Sequence, residues 1–342
     1  MNSFLTSTHN KKWIKTEKQL KKLDDAKYKD IKQRINDINE LIEKENKEIP
    51  NVKDHKKGIA RVHLPSKEEE KTLIINYSNL LIKIINSFPN ASTSLKNYTV
   101  SYYRRFYLKK SILDYDPSYL MAAAFYLGTK IAAINFSEKD FLKIFPVMNN
   151  NLDILNEYEF FLCTELDYDF FVYDPFQALF GFIYTLEQKG FFLNQNKDNY
   201  INQDDFKNGC MNIIDRMFLT DNIFLYTYSE IALGSIIIEC ENKNINIINI
   251  GEKLNLDKII NIKEFFEKKV FDMKKKLEEI PKYENPGKEI EKAQAIHKKV
   301  KCFWETFPQY NERLNMKRND LKAMMAEFEK NFIEKENSMA KE

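Results

Sequence analysis

Apolar positions recur along almost the whole chain at the three- and four-residue spacing of helices, and no stretch needs the alternation of a strand. Residues 16 to about 46 carry Leu20, Leu23, Lys27, Ile31, Ile35, Ile38 and Ile42 near one stripe, with lysine and glutamate elsewhere, which predicts a helix docked by one face. Ser66 followed by Glu69 is a capping box, opening a helix through Leu73, Tyr77, Leu80, Leu81, Ile84 and Ile85 that stops near Phe88-Pro89. Further helices are expected at 91–108, 137–147 and 153–166. Between the first two lies the most apolar stretch of the chain, from Asp116 to Lys130. Asp116 is an N-cap acceptor there and Pro117 occupies the first helical position. Leu120, Ala124, Leu127 and Ile131 make one face and Met121, Phe125, Gly128 and Ala132 another, so this helix is expected to be buried all round. Lys130, at its end, must reach solvent or find a partner.

The second half repeats the scheme. Asp174-Pro175 gives the same cap-and-proline start, 193–204 reads as an asparagine-rich loop, and 205–219 as a helix. Thr227 with Glu230 is a second capping box, and Ala232, Gly234 and Ser235 echo the small residues of the first buried helix. Laying Thr227 on Asp116 makes the apolar runs coincide and puts Glu241 at the position of Lys130. The expectation is an internal duplication of an all-α unit of roughly 100 residues, with its boundary near Asp174. At these overlaid positions, Glu264 on the later helix would repel Glu241, so only the first unit can form a lysine–glutamate pair. From Pro281 to Pro286 the pattern breaks. Beyond it a charged helix is expected to about Glu329, interrupted by Pro308 and anchored by Phe303, Trp304 and Phe307, with fraying after about 335.

Composition narrows the classes. With 342 residues there is room for about two domains. Fifty-three basic against 51 acidic residues gives a net charge of +2, no electrostatic demand for nucleic acid. A mean hydropathy of −0.53 and the short apolar runs argue against a membrane protein. The lysine-rich first thirty residues do not read as a secretory signal. Cys163, Cys210, Cys240 and Cys302 are scattered without metal-ligand spacing, which suggests a reducing, intracellular compartment. The eight glycines form neither Gly-x-Gly-x-x-Gly nor a phosphate-loop pattern. The four histidines fall near the termini or in the 55–63 stretch, away from any nucleophile and acid. No catalytic set, metal site or cofactor site is expected.

Several runs together carry a resemblance. Tyr102-Tyr103-Arg104-Arg105-Phe106-Tyr107-Leu108 precedes the buried helix and Glu157-Tyr158-Glu159 follows it. Leu219-Thr220-Asp221, Leu225-Tyr226-Thr227 and Ile231-Ala232-Leu233 stand in the second half, and Trp13 in the basic N-terminal stretch. In this order, between about Trp13 and Leu277, they resemble the cyclin family, and within it the cyclin H branch. The resemblance implies two tandem five-helix cyclin boxes, at 66–172 and 173–280, flanked by an N-terminal helix and linker (1–65) and a C-terminal helical extension (281–342). It implies a regulatory subunit rather than an enzyme: an activator of a cyclin-dependent kinase of the CDK-activating type, with a RING-finger assembly factor, a link to TFIIH, and a nuclear location shared with the cytoplasm.

In that family a matching lysine and glutamate pair with each other and hydrogen-bond the kinase's C-helix backbone. The resemblance assigns those roles to Lys130 and Glu159, with Ile131, Cys163, Tyr168 and Phe170 as apolar contacts around them. Two departures stand out. Ile131-Ala132-Ala133-Ile134 is apolar where many cyclins are acidic, and Leu73-Ile74-Ile75-Asn76-Tyr77 does not match the family's substrate-docking run. Alternatives stay open at this level: an internal Lys130–Glu159 salt bridge with no partner, a TFIIB-type cyclin-fold protein binding DNA, or a helical scaffold without a kinase. A TFIIB-type protein would show a basic face and usually a Cys-x-x-Cys zinc ribbon, and no such ribbon occurs here.

Overall fold

The computed structural model describes residues 4–48, 65–88, 92–149, 152–192, 201–246, 248–254, 264–281 and 286–306, and among these there is no strand. The His55–His63 stretch, Phe307, Pro308 and the side chains of Ile38, Ile42, Phe303 and Trp304 lie outside the described residues. None of the described helices is long and apolar enough to cross a membrane.

The first unit comprises α2 (Lys67–Asn86), α3 (Thr93–Lys109), α4 (Pro117–Ile131), α5 (Glu138–Ile144) and α6 (Leu152–Glu165). Its starts follow local chemistry. Ser66 and Glu69 exchange the two capping-box bonds, and the Asp116 carboxylate accepts the Ser118 N–H at 2.8 Å with Pro117 at the first helical position. Helix α4 is the axle: Leu120, Ala122, Ala123, Ala124 and Phe125 are wholly buried, with α3 and α6 packed along it. Gly128 permits that approach, because a Cβ there would stand 2.3 Å from the Thr99 hydroxyl on α3.

The second unit repeats the plan with α7 (Pro175–Gln188), α8 (Gln203–Phe218), a single turn α9 (Asn222–Leu225), α10 (Tyr228–Asn242), α11 (Ile248–Lys253) and α12 (Phe271–Glu278). A π-helical turn at Phe265–Val270 leads into α12. Thr227 and Glu230 form the expected capping box on α10, and Gly234 lets α12 approach, since a Cβ there would meet the Met273 sulfur at 2.5 Å. The ends of α4 and α10 share one hydrogen-bond register. Ala133 N–H reaches Lys130 O and Ile134 N–H reaches Thr129 O; Asn244 N–H reaches Glu241 O and Ile245 N–H reaches Cys240 O. Ala133 and Asn244 both take a left-handed conformation, at φ 53° and 55°. The backbone thus places Glu241 where Lys130 stands.

The two units are joined through buried polar contacts. The Lys96 ammonium on α3 lies 2.8 Å from both oxygens of Asp215 on α8, with side chains 4% and 12% exposed. Asn86 donates to the same carboxylate at 3.2 Å. Arg104 donates to the Leu219 carbonyl at 3.2 Å and to the Asp221 carboxylate at 3.1 Å. That contact brings the Tyr-Tyr-Arg-Arg run of the first unit onto the Leu-Thr-Asp run of the second.

The N-terminal helix docks as the stripe predicts. In α1 (Glu17–Glu48) Leu20, Ile31 and Ile35 are buried, and Lys27 donates to the Tyr107 carbonyl at 3.2 Å while lying 3.6 Å from Glu70. The C-terminal α13 (Pro286–Thr306) buries Ile296 and Val300 and meets α2 through Tyr77 and His297, 3.1 Å apart.

Candidate functional site

The last turn of α4 and the middle of α6 hold Lys130 and Glu159 side by side. The Lys130 Nζ donates to both Glu159 oxygens, at 2.7 and 2.9 Å. Tyr126, one turn back on the same helix face, places its ring centroid 4.1 Å from that ammonium. Lys130 is 48% exposed and Glu159 15%, so the carboxylate is recessed and the ammonium stands over it. Each Glu159 oxygen keeps a second lone pair and Lys130 keeps a donor hydrogen beyond the two it gives to Glu159. Such a pair can hydrogen-bond both a carbonyl and an N–H of an incoming backbone.

The other four sequence candidates surround the pair. Ile131 follows Lys130 and Cys163 lies one turn beyond Glu159, both half-buried against the core. Burial, reinforced by the Glu159 charge, pushes the Cys163 thiol up to about 12, which keeps it protonated near neutral pH. After α6 the chain reverses through Asp167 and Tyr168, both left-handed at φ 55° and 54°. Tyr168 N–H returns to the Cys163 carbonyl at 3.0 Å and Asp167 N–H to Thr164 at 2.9 Å. This turn throws the Tyr168 ring outward, while Phe170 lies half-buried beside it, ring centroids 6.2 Å apart. Phe170 is held from behind by Tyr102, whose hydroxyl donates to the Phe170 carbonyl at 2.5 Å. Tyr168 is therefore a surface residue, 57% exposed.

The equivalent place in the second unit differs from expectation. Glu241 does not face Glu264: it pairs with Lys274 on α12 at 2.8 Å, and Glu264 pairs with Lys268 one turn on at 3.0 Å. The π-helical turn and the length of α12 bring a lysine to α10, which the overlay of two helices could not anticipate. The second unit thus carries an ion pair of reversed order, acid on the central helix and base on the later one. Sequence reasoning also passed over Tyr126, although its i, i+4 spacing to Lys130 was readable. No group of three histidine, cysteine or acidic side chains among the described residues could hold a metal ion.

No family model matches the chain. Among curated proteins it is 25% identical to Cyclin mcs2 of Schizosaccharomyces pombe over 183 residues, 53% of this chain and 54% of that protein. It is 25% identical to Cyclin CCL1 of Saccharomyces cerevisiae (52% and 44% covered) and 24% identical to Cyclin-H of Xenopus laevis (52% and 55%). The chain is cyclin H-like. Its matches span about half the length of these curated relatives. Among solved structures, a chain of the CAK complex from Chaetomium thermophilum bound to ATP-gamma-S superposes with a TM-score of 0.65 at 18% identity, covering 93% of this chain and 94% of that one. A chain of the yeast TFIIK (Kin28/Ccl1/Tfb3) complex gives 0.58 at 18% identity, covering 80% and 100%. At that identity the likeness establishes the cyclin fold of the cyclin H-like chain: all-α, two tandem helical boxes with flanking helices.

Proposed function

We propose that this cyclin H-like chain is a regulatory subunit that binds and activates a cyclin-dependent kinase of the CDK-activating type. The observation that carries the proposal is the Lys130–Glu159 pair, held at 2.7 Å on an open rim with hydrogen-bonding capacity to spare. Lys130, Ile131, Glu159, Cys163, Tyr168 and Phe170 form the binding face, in a first box spanning 66–172. The second box, 173–280, braces the first through Lys96–Asp215 and Arg104–Asp221, and the segments 1–65 and 281–342 flank them. The reversed Glu241–Lys274 pair gives a reason why a kinase would choose the first box alone.

The mechanism is a population shift. A partner activates only by binding the active arrangement of the kinase more tightly than the inactive one, and the free energy difference sets the limit of activation. The Lys130–Glu159 pair would supply that difference by bonding the C-helix backbone only where the active arrangement places it. The chain has no turnover of its own in this reading. The family resemblance adds a RING-finger assembly factor as a third subunit. Association with TFIIH would then place it in the nucleus, with a cytoplasmic pool. A TFIIB-like role in binding DNA has no support in a chain whose net charge is +2. The test is to reconstitute the full chain with its kinase and measure phosphoryl transfer to a peptide. Activity well above that of the kinase alone is expected; a complex no more active than free kinase would refute the proposal.

A further inference from the structure

Ahead of α1, residues 4–15 cross the loop that carries Tyr168 and Phe170, and they grip it at both ends. At one end the Lys12 ammonium lies 3.0 Å from Asp167, the first of the two left-handed residues. At the other, His9 Nδ1 accepts the Tyr173 N–H at 3.0 Å and the Phe4 ring packs edge-on against the Tyr173 ring, centroids 5.0 Å apart. Trp13, next to Lys12, anchors the segment. It is buried, with the Arg105 guanidinium 4.6 Å and the Lys109 ammonium 5.0 Å from its ring centroid. Lys109 in turn donates to the carbonyl of Glu165, the last residue of α6, at 2.8 Å.

Two further observations give this grip a purpose. Consecutive left-handed non-glycine residues persist only where the surroundings hold them, and residues 4–15 add contacts from outside to the loop's own short-range bonds, Asp167 to Thr164 and Tyr168 to Cys163. The outer surface is also apolar there: Leu5 is 72% exposed, Tyr168 57% and Phe171 56%, with Phe4 and Phe171 both packed on Tyr173. Large apolar side chains left exposed on a loop and on the segment that crosses it mark a surface that something covers.

We propose that residues 4–15 act as a strap that positions the 167–173 loop for the partner, and that Leu5 and Phe171 extend the binding face beyond Tyr168. The proposal rests on the kinase reading above, and its occupant is the same kinase, because this rim continues directly from the residues around Lys130 and Glu159. Lys12 and His9 are positioning residues, acting through the loop; Leu5 and Phe171 would touch the partner.

The test uses the full chain and the recombinant CDK-activating-type kinase of the same organism, with affinity by calorimetry and amide exchange of 168–173 in the free chain. Lys12→Glu should raise Kd about three- to tenfold and speed exchange in the loop, since it sets like charge against Asp167. Lys12→Arg should match the wild type, and the swap Lys12→Asp with Asp167→Lys should recover most of the loss. Leu5→Asp should weaken binding to a similar degree without altering exchange. If Lys12→Glu speeds exchange but leaves Kd unchanged while Glu159→Ala weakens binding, the strap is structural only and the inference is overturned. Unaltered exchange in Lys12→Glu overturns it as well. If Glu159→Ala itself leaves Kd unchanged, the kinase reading fails and the strap's role in binding falls with it.

Discussion

Removing the Glu159 carboxylate should have a small consequence for the free chain and a large one for the complex. In the free chain Lys130 is 48% exposed and rests on the Tyr126 ring, so Glu159→Ala leaves an ammonium that water can solvate. The loss for such a half-exposed pair is about 0–1 kcal/mol, which moves the melting temperature by no more than about 2–4 °C. Under a bound kinase the same ammonium would be covered and uncompensated. Breaking a buried pair costs about 3–5 kcal/mol, or roughly two to four orders of magnitude in Kd. The double variant Lys130→Ala with Glu159→Ala should lose less than the two single losses added, because no charge is then stranded. Calorimetric titration of the kinase into all four forms, beside thermal melts of each alone, measures both quantities. Glu241→Ala is the internal control: it breaks only the Lys274 contact in the second box and should leave Kd unchanged. Additive losses below about 1 kcal/mol at Lys130 and Glu159, or an equal loss at Glu241, would show that the kinase binds elsewhere.

Two predictions concern the frame around the site. Asp215→Ala strands the Lys96 ammonium, 4% exposed in its side chain, and removes the acceptor of Asn86, so it should destabilise the chain by about 3–5 kcal/mol in urea unfolding. Replacing the pair together, Lys96→Met with Asp215→Leu, should return close to wild-type stability; a single-variant loss under about 1 kcal/mol would refute the burial argument. Burial, aided by the Arg105 charge, pulls His9 down from 6.5 to about 3, so the docked N-terminal segment holds it neutral while the undocked segment takes up a proton. Docking should therefore be insensitive to pH above about 6.5 and weaken by up to about 1.4 kcal/mol per pH unit below it, towards about pH 3. Amide exchange at Tyr173 follows this; a flat response from pH 7 to 5, or the same response in His9→Asn, would refute it.

What the sequence determined by itself is what depends on neighbours along the chain. Ser66 with Glu69, Asp116 with Pro117 and Thr227 with Glu230 satisfy backbone donors two or three residues away, so the residue types alone announce where helices begin. The duplication was legible for the same reason, because helix-forming patterns repeat in order, and the matched hydrogen bonds after Lys130 and Glu241 show the overlay in the backbone. The Lys130–Glu159 pair, 29 residues apart, became legible only through the resemblance to cyclins. Nothing in local pattern could join Lys96 to Asp215 across 119 residues, or Lys12 to Asp167 across 155, since which charges meet is decided by how helices cross. The overlay brought Glu241 against Glu264, yet the π-helical turn carried Lys274 to it instead. Helix positions are written in local hydrogen bonding, whereas side-chain partners follow from packing that is settled only when the whole core forms.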